Sequence, residues 1–388
     1  MKKILLTIFT VSAIFVSSLC AHAQTGVTFL YINGSNNNDK KMKNWYENGV
    51  KKLHPCLKAA FENNIQARQY FLKNGQYVIE NSPKIFFWGY RSKDDLSFVE
   101  QNLAISKGLS PWVAYQVRSM ITHFLHDAIW VQKYHNMLPV LEDLHQDVKA
   151  EAVKGNKIVL YGYSAGTFIT YEYLLTRLPY INVENFLSNV KVTDSEKAFA
   201  SEHPMKNTCM AALGQDLAVF SAAGHIVPNT DEISFKKNYM NLDNLTDDVC
   251  VPPDTLKGII NFASPLVLFY SDISDPTFQL TYYNKLLFEY IIEHDLFWLT
   301  VNYREDPLGF PGGRNLTVDE IEDITKMEIE PKSGFIYDQS NTWGRNTVLT
   351  AHTSYWATKR NFSKAVVRAY VNGYTKHYDE NGKPKDDK

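Results

Sequence analysis

The sequence lacks the features that mark several large classes of protein. Lysine plus arginine (40) and aspartate plus glutamate (42) nearly balance, which gives a formal net charge of −2 over 388 residues. The basic residues are scattered, so no positive stripe indicates a nucleic-acid partner, and we expect none. No internal repeat is visible. No apolar stretch after the N-terminal segment approaches the length of a membrane-spanning helix.

Cysteine is also scarce, with four in the chain. Cys20 lies in the N-terminal segment, which leaves Cys56, Cys209 and Cys250. Three cysteines without CxxC spacing do not indicate a structural metal site. In an exported protein a disulfide can form, and Cys209 with Cys250 is the expected pair because both lie in one segment. Cys56 would then be free.

The N-terminus has the pattern of a secretory signal. Two lysines precede an apolar run over residues 4–19, and the tripeptide AHA follows at 21–23. This order predicts a signal peptide over residues 1–23 that is cleaved, and therefore a secreted or periplasmic protein. An uncleaved anchor is the alternative, but the run is short for a spanning helix. Lipid attachment at Cys20 is disfavoured by the bulky Leu19 before it.

Strand-like and helix-like segments alternate along the rest of the chain. Apolar, β-rich runs predict strands at 26–32, 84–90, 157–162, 258–264, 296–303 and about 333–338. Helical spacing predicts helices at 42–62, from about 112, from Pro139 at a first turn to a cap at Gly155, at 168–178, 277–293 and 361–374. Such alternation predicts an α/β fold, with a mostly parallel central sheet and helices on both faces.

Two segments fall outside this alternation. Residues 180–256 are polar and without a clear period, and we predict an insertion there. Residues 376–388 are strongly charged and predict a solvated C-terminal tail. The predicted domain therefore spans residues 24–375 with one insertion. In parallel sheets of this kind, active sites collect at the carboxyl ends of the strands, so the residues after each strand are the candidates.

The pentapeptide GYSAG at residues 162–166 is the strongest motif. A serine hydroxyl is a poor nucleophile unless a base, a group that orients the base, and donors for an oxyanion lie beside it. Ser164 follows the buried run KIVLYG and precedes an amphipathic helix, with small residues at Gly162, Ala165 and Gly166. A sharp strand-to-helix turn needs such residues and exposes the serine oxygen. The pattern predicts Ser164 as a nucleophile; an accidental match is the alternative.

The acid is expected after the nucleophile in the chain and before the histidine. Asp306 follows the strand LFWLTVNY, where a strand meets a loop, and is the predicted acid. A simple turn-forming aspartate is the alternative role for it. Asp272 and Asp275, after the preceding strand, are the alternative acids, and Glu305 is a weaker one.

The base follows by elimination. Two histidines come after the predicted acid, and His377 lies in the charged tail. His352, in TAHTSYW between the last predicted strand and the last helix, is therefore the predicted base, with an ordinary surface-loop histidine as the alternative. The oxyanion would be held by the backbone N–H of Ala165 and by that of Ser35, in the loop INGSNNND after the first strand, where Gly34 eases the turn. A plain Asn-Gly turn is the alternative there.

These segments together resemble the α/β-hydrolase superfamily, of the lipase/esterase kind. KIVLYGYSAG is similar to the nucleophile elbow, IINFASPL to the strand that follows it, WLTVNYREDPLGFP to the acid segment, AHTSYW to the histidine segment and FLYINGSNNN to the oxyanion loop. Tyr163 stands where many members have histidine, and Asn33 where histidine or arginine often stands. The resemblance covers roughly residues 26–178 and 257–374. The family often carries a lid or cap where the polar segment 180–256 lies.

The resemblance implies acyl transfer without a cofactor. Ser164 would attack the carbonyl of a small-molecule or lipid carboxylic ester, with His352 as base and Asp306 as its orienting acid. Transient contact with a membrane or lipid surface fits a lipid ester. An acyltransferase using the same three residues and a non-catalytic binding protein of this fold are the alternatives. A metal site at His123, His126, Asp127 and His135 lacks a third ligand at a known spacing, and ordinary helix histidines are the preferred interpretation.

Overall fold

The computed structural model of the chain describes residues 24–35, 40–106, 112–131, 134–177, 251–252, 254–267, 290–311, 315, 319–320, 333–344 and 347–385. The predicted signal peptide, most of the predicted insertion and both cysteines of the predicted disulfide lie outside these residues. The described cysteine, Cys56, is free, and the pairing expected of the other two stays a prediction.

Seven strands form one sheet. They are β1 (Thr25–Ile32), β2 (Tyr77–Ile79), β3 (Lys84–Phe86), β4 (Lys157–Tyr163), β5 (Leu256–Phe262), β6 (Phe297–Val301) and β7 (Phe335–Asp338). Their order is β2-β1-β4-β5-β6-β7, and β3 pairs with the second half of β1 on the side of β2. Each pair that the structure describes is parallel. The predicted α/β class with a mostly parallel sheet is confirmed.

The helices cover the two faces of this sheet. They are α1 (Lys40–Asn63), α2 (Ile65–Tyr70), α3 (Lys93–Ser106), α4 (Trp112–Val131), α5 (Tyr134–Val153), α6 (Gly166–Arg177), α7 (Val348–Ala351) and α8 (Lys359–His377). The helices α1, α2 and α8 contribute to one hydrophobic core, whereas α4, α5 and α6 contribute to the other. Among the described residues, no helix combines the length and the apolar character needed to cross a membrane.

The alternation of side chains along the strands explains why both faces are apolar. In β1, Phe29 and Tyr31 belong to the core with α1 and α8, while Leu30 and Ile32 belong to the core with α5 and α6. Successive residues of a strand point to opposite faces, so a strand covered on both sides has to be apolar throughout. This is why β1, β4 and β5 appear in the sequence as continuous apolar runs.

Two predicted elements differ from the structure in the N-terminal half. The predicted strand 84–90 ends at residue 86, and a 3₁₀ helix spans Gly89–Ser92 instead. The short strand β2 was not predicted, because three residues are too few to show a period.

The predicted helix start at Pro139 is wrong. Pro139 is the sixth residue of α5, and Met137 in the turn before it is fully buried. Core packing of that turn outweighs the backbone hydrogen bond that a proline cannot donate.

The predicted C-terminal tail is also wrong at its start. Helix α8 continues to His377, which is buried, and Tyr378 is fully buried with its hydroxyl donating to the Gly334 carbonyl. Residues 380, 381 and 383–385 are exposed, as a solvated tail requires. Burial of the His377 and Tyr378 rings therefore attaches the start of this charged segment to the body of the protein.

The order of the strands places a topological switch point between β1 and β4. From β1 the chain passes to β2 and β3 on one side and then returns to β4 on the other. In parallel sheets, ligand sites form at the carboxyl ends of the strands at such a switch point. Ile32 pairs with Gly162 at this edge, so the loop after β1 and the turn after β4 are neighbours.

Candidate active site

The turn after β4 holds Ser164 in the left-handed backbone region, at φ 52°. A non-glycine residue there is strained by roughly 1–3 kcal/mol, so the surrounding structure must enforce the conformation. The Ser164 N–H donates to the Phe262 carbonyl at 3.1 Å, and the Thr167 N–H donates to the Ser164 carbonyl at 2.9 Å. Helix α6 begins at Gly166. The predicted strand–turn–helix is therefore present, with Ser164 at the carboxyl edge of the sheet.

Two glycines allow this turn to approach the loop after β1. A Cβ at Gly166 would lie 2.7 Å from the carbonyl oxygens of Ile32 and Asn33. A Cβ at Gly34 would lie 2.8 Å from the Ser164 Cβ. Both distances are well inside the normal contact of about 3.5–4 Å between carbon atoms. Gly34 in the loop after β1 and Gly166 in the turn after β4 thus both allow these two segments to touch. A side chain at either position would push the segments apart.

The structure brings the predicted nucleophile, base and acid together. The Ser164 Oγ lies 2.9 Å from the His352 Nε2, and the His352 Nδ1 lies 3.0 and 3.1 Å from the two carboxylate oxygens of Asp306. Ser164 and His352 are 188 positions apart in the chain. The geometry that we expected, with one ring nitrogen on the serine and the other on Asp306, is present. That these residues catalyse a reaction stays a prediction.

The Asp306 and His352 side chains are largely buried, and their contacts define the tautomer of His352 in this arrangement. The Asp306 side chain is 0% exposed and that of His352 is 14% exposed. An ionised carboxylate can only accept hydrogen bonds, so the His352 Nδ1 carries the proton toward Asp306. The Nε2 is then an acceptor for the Ser164 hydroxyl, which is the arrangement in which imidazole can remove the serine proton.

Tyr163 supports the histidine from the strand β4. Its hydroxyl donates to the backbone carbonyl of His352 at 3.0 Å, and the two rings stack with centroids 5.6 Å apart. Burial, and then the nearby Asp306 charge, raise the pKa of Tyr163 far above its ordinary value, so the hydroxyl stays a donor. In the sequence this residue appeared only as a departure from the family pattern. Its position beside the serine was the signal that could have identified it.

Tyr355 supports the acid and was not predicted. Its hydroxyl donates to the Asp306 Oδ2 at 2.8 Å and accepts from the Tyr303 N–H at 2.9 Å. The Leu308 N–H donates to the other oxygen, Oδ1, at 2.9 Å. Sequence reasoning missed Tyr355 because an aromatic residue in a chain with 13% aromatics is most often core, and the contact depends on two segments that meet only in the fold.

The loop after β1 is fixed by Asn33 and Trp88. The Asn33 side chain is fully buried; its amide donates to the Gly34 carbonyl at 2.8 Å and its oxygen accepts from the Trp88 N–H at 3.0 Å. The Trp88 indole N–H donates to the Asn33 carbonyl at 2.7 Å. Of the predicted oxyanion residues, Gly34 touches the serine turn, Ala165 is buried within it, and Ser35 follows Gly34 in the same loop.

The alternative acids and base lie elsewhere or outside the described residues. Glu305 accepts from the Gly344 N–H at 3.0 Å, a contact that does not involve His352. Asp272 and Asp275 fall outside the described residues. His377 ends α8, and its carbonyl accepts from the Lys385 N–H. Among the described residues, Asp306 and His352 are thus the pair that meets Ser164.

The structure offers no support for a metal site in the residues that it describes, where no group of three or more His, Cys, Asp or Glu could hold a metal ion. His126 contacts Asp127 at 3.2 Å, and the buried Asp127 accepts from the Ser92 hydroxyl at 2.7 Å. The side chains of His123 and His135 lie outside the described part. A groove of about 760 Å³ lies between α1 and α8, and neither Ser164, His352 nor Asp306 lines it.

Comparison with known proteins gave no relative: no family model, no curated protein and no solved structure matches this chain. The site therefore has to be interpreted from its own geometry.

Proposed function

We propose that this chain is a serine hydrolase that cleaves carboxylic esters and that it has the α/β-hydrolase fold. The observation that carries the proposal is the series of hydrogen bonds from the Ser164 hydroxyl through His352 to Asp306, located at the carboxyl edge of a parallel sheet. Three groups with these roles, drawn from three separate loops, match what nucleophilic catalysis by serine requires. The strained turn that carries the serine adds to this support.

The proposed mechanism has two steps. Ser164 Oγ attacks the ester carbonyl carbon while His352 Nε2 takes the hydroxyl proton, and Asp306 stabilises the imidazolium that forms. The imidazolium then gives its proton to the leaving alcohol, and an acyl-enzyme remains. Water, deprotonated by the same nitrogen, attacks the acyl carbon, and the imidazolium then returns this proton to Ser164 Oγ as the bond from Oγ to the acyl carbon breaks and the carboxylic acid leaves. No cofactor takes part in either step.

The oxyanion of both tetrahedral intermediates would be held by the backbone N–H groups of Ala165 and Ser35. Asn33 supports this role for Ser35. Its side chain donates to the Gly34 carbonyl, and the planar, trans Gly34–Ser35 peptide points its N–H opposite to that carbonyl. Fixing the carbonyl therefore fixes the direction of the donor. Each such donor contributes about 3 kcal/mol to the transition state.

The proposal extends to the setting of the reaction. The N-terminal pattern over residues 1–23 favours export, and the substrate class includes small and lipid esters. The described residues on either side of the insertion are neighbours, since the Val251 N–H donates to the Arg177 carbonyl at 2.9 Å. This favours an insertion that ends before residue 251 rather than at 256, which lies within β5. A lid function for this segment stays a prediction.

A fluorophosphonate that reacts with activated serines tests the proposal. We expect the wild-type protein to be labelled on Ser164, as located by mass spectrometry, and Ser164→Ala to remain unlabelled. Ser92→Ala is the matched control, because Ser92 is also buried and also donates to a carboxylate but is expected to leave labelling unchanged. Labelling of Ser164→Ala at the wild-type rate would overturn the proposal. Hydrolysis of p-nitrophenyl esters of increasing chain length then defines the acyl preference.

A further inference from the structure

The acid of the site is held by a second side chain whose contacts are directional. The Tyr355 hydroxyl has one proton and lies between two partners, the Asp306 Oδ2 at 2.8 Å and the Tyr303 N–H at 2.9 Å. The backbone N–H can only donate, and the carboxylate can only accept. The hydroxyl proton therefore points at Asp306, because that is the partner able to accept it.

The carboxylate is consequently fixed at both oxygens. Leu308 donates to Oδ1 and Tyr355 to Oδ2, and the His352 Nδ1 is shared between them at 3.0 and 3.1 Å. The torsion that turns a carboxylate about its last bond is broad and poorly restrained in an aspartate side chain. Two donors on opposite oxygens remove this freedom and hold the plane of the carboxylate toward the imidazole.

The ring that carries this hydroxyl is rigid. Tyr355 is fully buried and lies parallel to Tyr303, with centroids 4.2 Å apart and an angle of 5° between the ring planes. The edges of Phe262 and Phe362 pack against it at 5.4 and 5.0 Å. Tyr355 also lies three positions after His352, so one short segment supplies both the base and the donor that orients the acid.

We propose that Tyr355 is a positioning residue for the proposed reaction, which it serves by fixing the Asp306 carboxylate against His352. The inference rests on the proposed function and deepens it. It assigns to the buried Tyr355 hydroxyl the role of orienting the acid at Oδ2. The backbone orients the acid at Oδ1, through the Leu308 N–H.

A double-mutant cycle with Tyr355→Phe and Asp306→Asn tests this role, with the second-order rate of fluorophosphonate labelling as the readout. A hydrogen bond to a charged group is worth enough for Tyr355→Phe to slow labelling about tenfold or more. In the Asp306→Asn background the same change should alter the rate less than twofold, because the group through which it acts is already gone. An equal loss in both backgrounds would overturn the inference.

Tyr303→Phe is the matched control. It deletes the buried hydroxyl of the stacked partner ring, which contacts Thr358 at 2.5 Å and not the acid. We expect it to lower the melting temperature about as much as Tyr355→Phe while changing the labelling rate less than threefold. If Tyr303→Phe slows labelling as much as Tyr355→Phe, the effect is one of packing and the inference fails.

A proton NMR measurement separates this inference from the proposed function. The low-field resonance of the His352–Asp306 hydrogen bond, identified by its loss in His352→Ala, should shift in Tyr355→Phe and stay in place in Tyr303→Phe. A shift in a protein that no fluorophosphonate labels would support the positioning contact and overturn the hydrolase. Normal labelling of the wild type with no shift and no coupling would support the hydrolase and overturn the positioning role.

Discussion

The two edges of the sheet use similar groups in different arrangements. At the amino edge, Lys257 in β5 and Ser333 before β7 both donate to Asp295, which precedes β6; the Lys257 Nζ lies 2.7 Å from the Asp295 Oδ2. At the carboxyl edge, a serine, a base and an aspartate also meet across the strands. There the base lies between the serine and the acid, at 2.9 and 3.0 Å.

The two clusters differ in how their hydrogen bonds are connected. At the amino edge two donors converge on one carboxylate, and among the described residues neither donor is linked through a group that could accept a proton and pass it on. At the carboxyl edge the bonds run in series, and the imidazole can accept a proton on one side while it donates on the other. A lysine ammonium has no acceptor lone pair and cannot take this place.

The largest effect should come from changing each aspartate to its amide. Asp306→Asn no longer fixes the protonated Nδ1 or stabilises the imidazolium, so we expect labelling and ester hydrolysis to fall about 10³–10⁴-fold. Its free energy of unfolding should also fall, by about 1–3 kcal/mol, because the new amide nitrogen faces one of the two donors, Leu308 N–H or Tyr355 O–H, that the carboxylate accepted. Rates of p-nitrophenyl ester hydrolysis and urea unfolding at pH 7 give both numbers.

Asp295→Asn is the matched variant at the other edge. It leaves the ammonium of Lys257, whose side chain is 6% exposed, without its carboxylate partner, and we expect a loss of about 1–3 kcal/mol in the free energy of unfolding. The hydrolysis rate should stay within about twofold of wild type. Loss of activity in both variants, or in neither, would remove the functional distinction between the two edges.

A smaller effect is expected from a methyl group at Gly34. The added Cβ would lie 2.8 Å from that of Ser164 and 2.9 Å from the Tyr163 carbonyl, so the loop after β1, which we propose holds the oxyanion, must shift away from the serine. A displacement of this size costs about a hundredfold in rate. Gly155→Ala, at φ 77° with no atom within 4 Å of the added Cβ, is the control: it should cost about 1 kcal/mol of stability and no activity. Equal hydrolysis by Gly34→Ala and wild type would contradict the loop assignment.

The smallest effect concerns the dependence of stability on low pH, through Asp295. Burial alone would raise the pKa of Asp295, but the Lys257 ammonium and the Ser333 hydroxyl outweigh it and hold this pKa below its ordinary value. A group with a lowered folded pKa stabilises the protein above its unfolded pKa of about 4 and loses that contribution as the pH falls below it. Unfolding free energies of wild type and Asp295→Asn should therefore converge as the pH falls from 7 to 3. A constant difference would show that Asp295 does not act through its charge.

The sequence predicted the parts of the fold that depend on local pattern. The strands β1, β4, β5, β6 and β7 and the helices α1, α6 and α8 were predicted within a few residues, because buried parallel strands are continuously apolar and amphipathic helices keep their period. It failed where the pattern was too short, at β2, or where packing overruled a local rule, as at Pro139 and at Tyr378. The contacts of the candidate triad were expected from the order of the three residues in the chain, from their places after strands, and from the family resemblance.

The amino-acid sequence by itself therefore determined the class of fold and the identities of Ser164, Asp306 and His352 as residues worth testing. It did so because periodicity and strand endings are local properties. Only the tertiary structure decided that these three side chains lie within hydrogen-bond distance, that Tyr163 and Tyr355 hold the base and the acid, and that Asn33 orients the loop after β1. Those contacts join segments far apart in the chain, and burial of both sheet faces is what brings them to one edge.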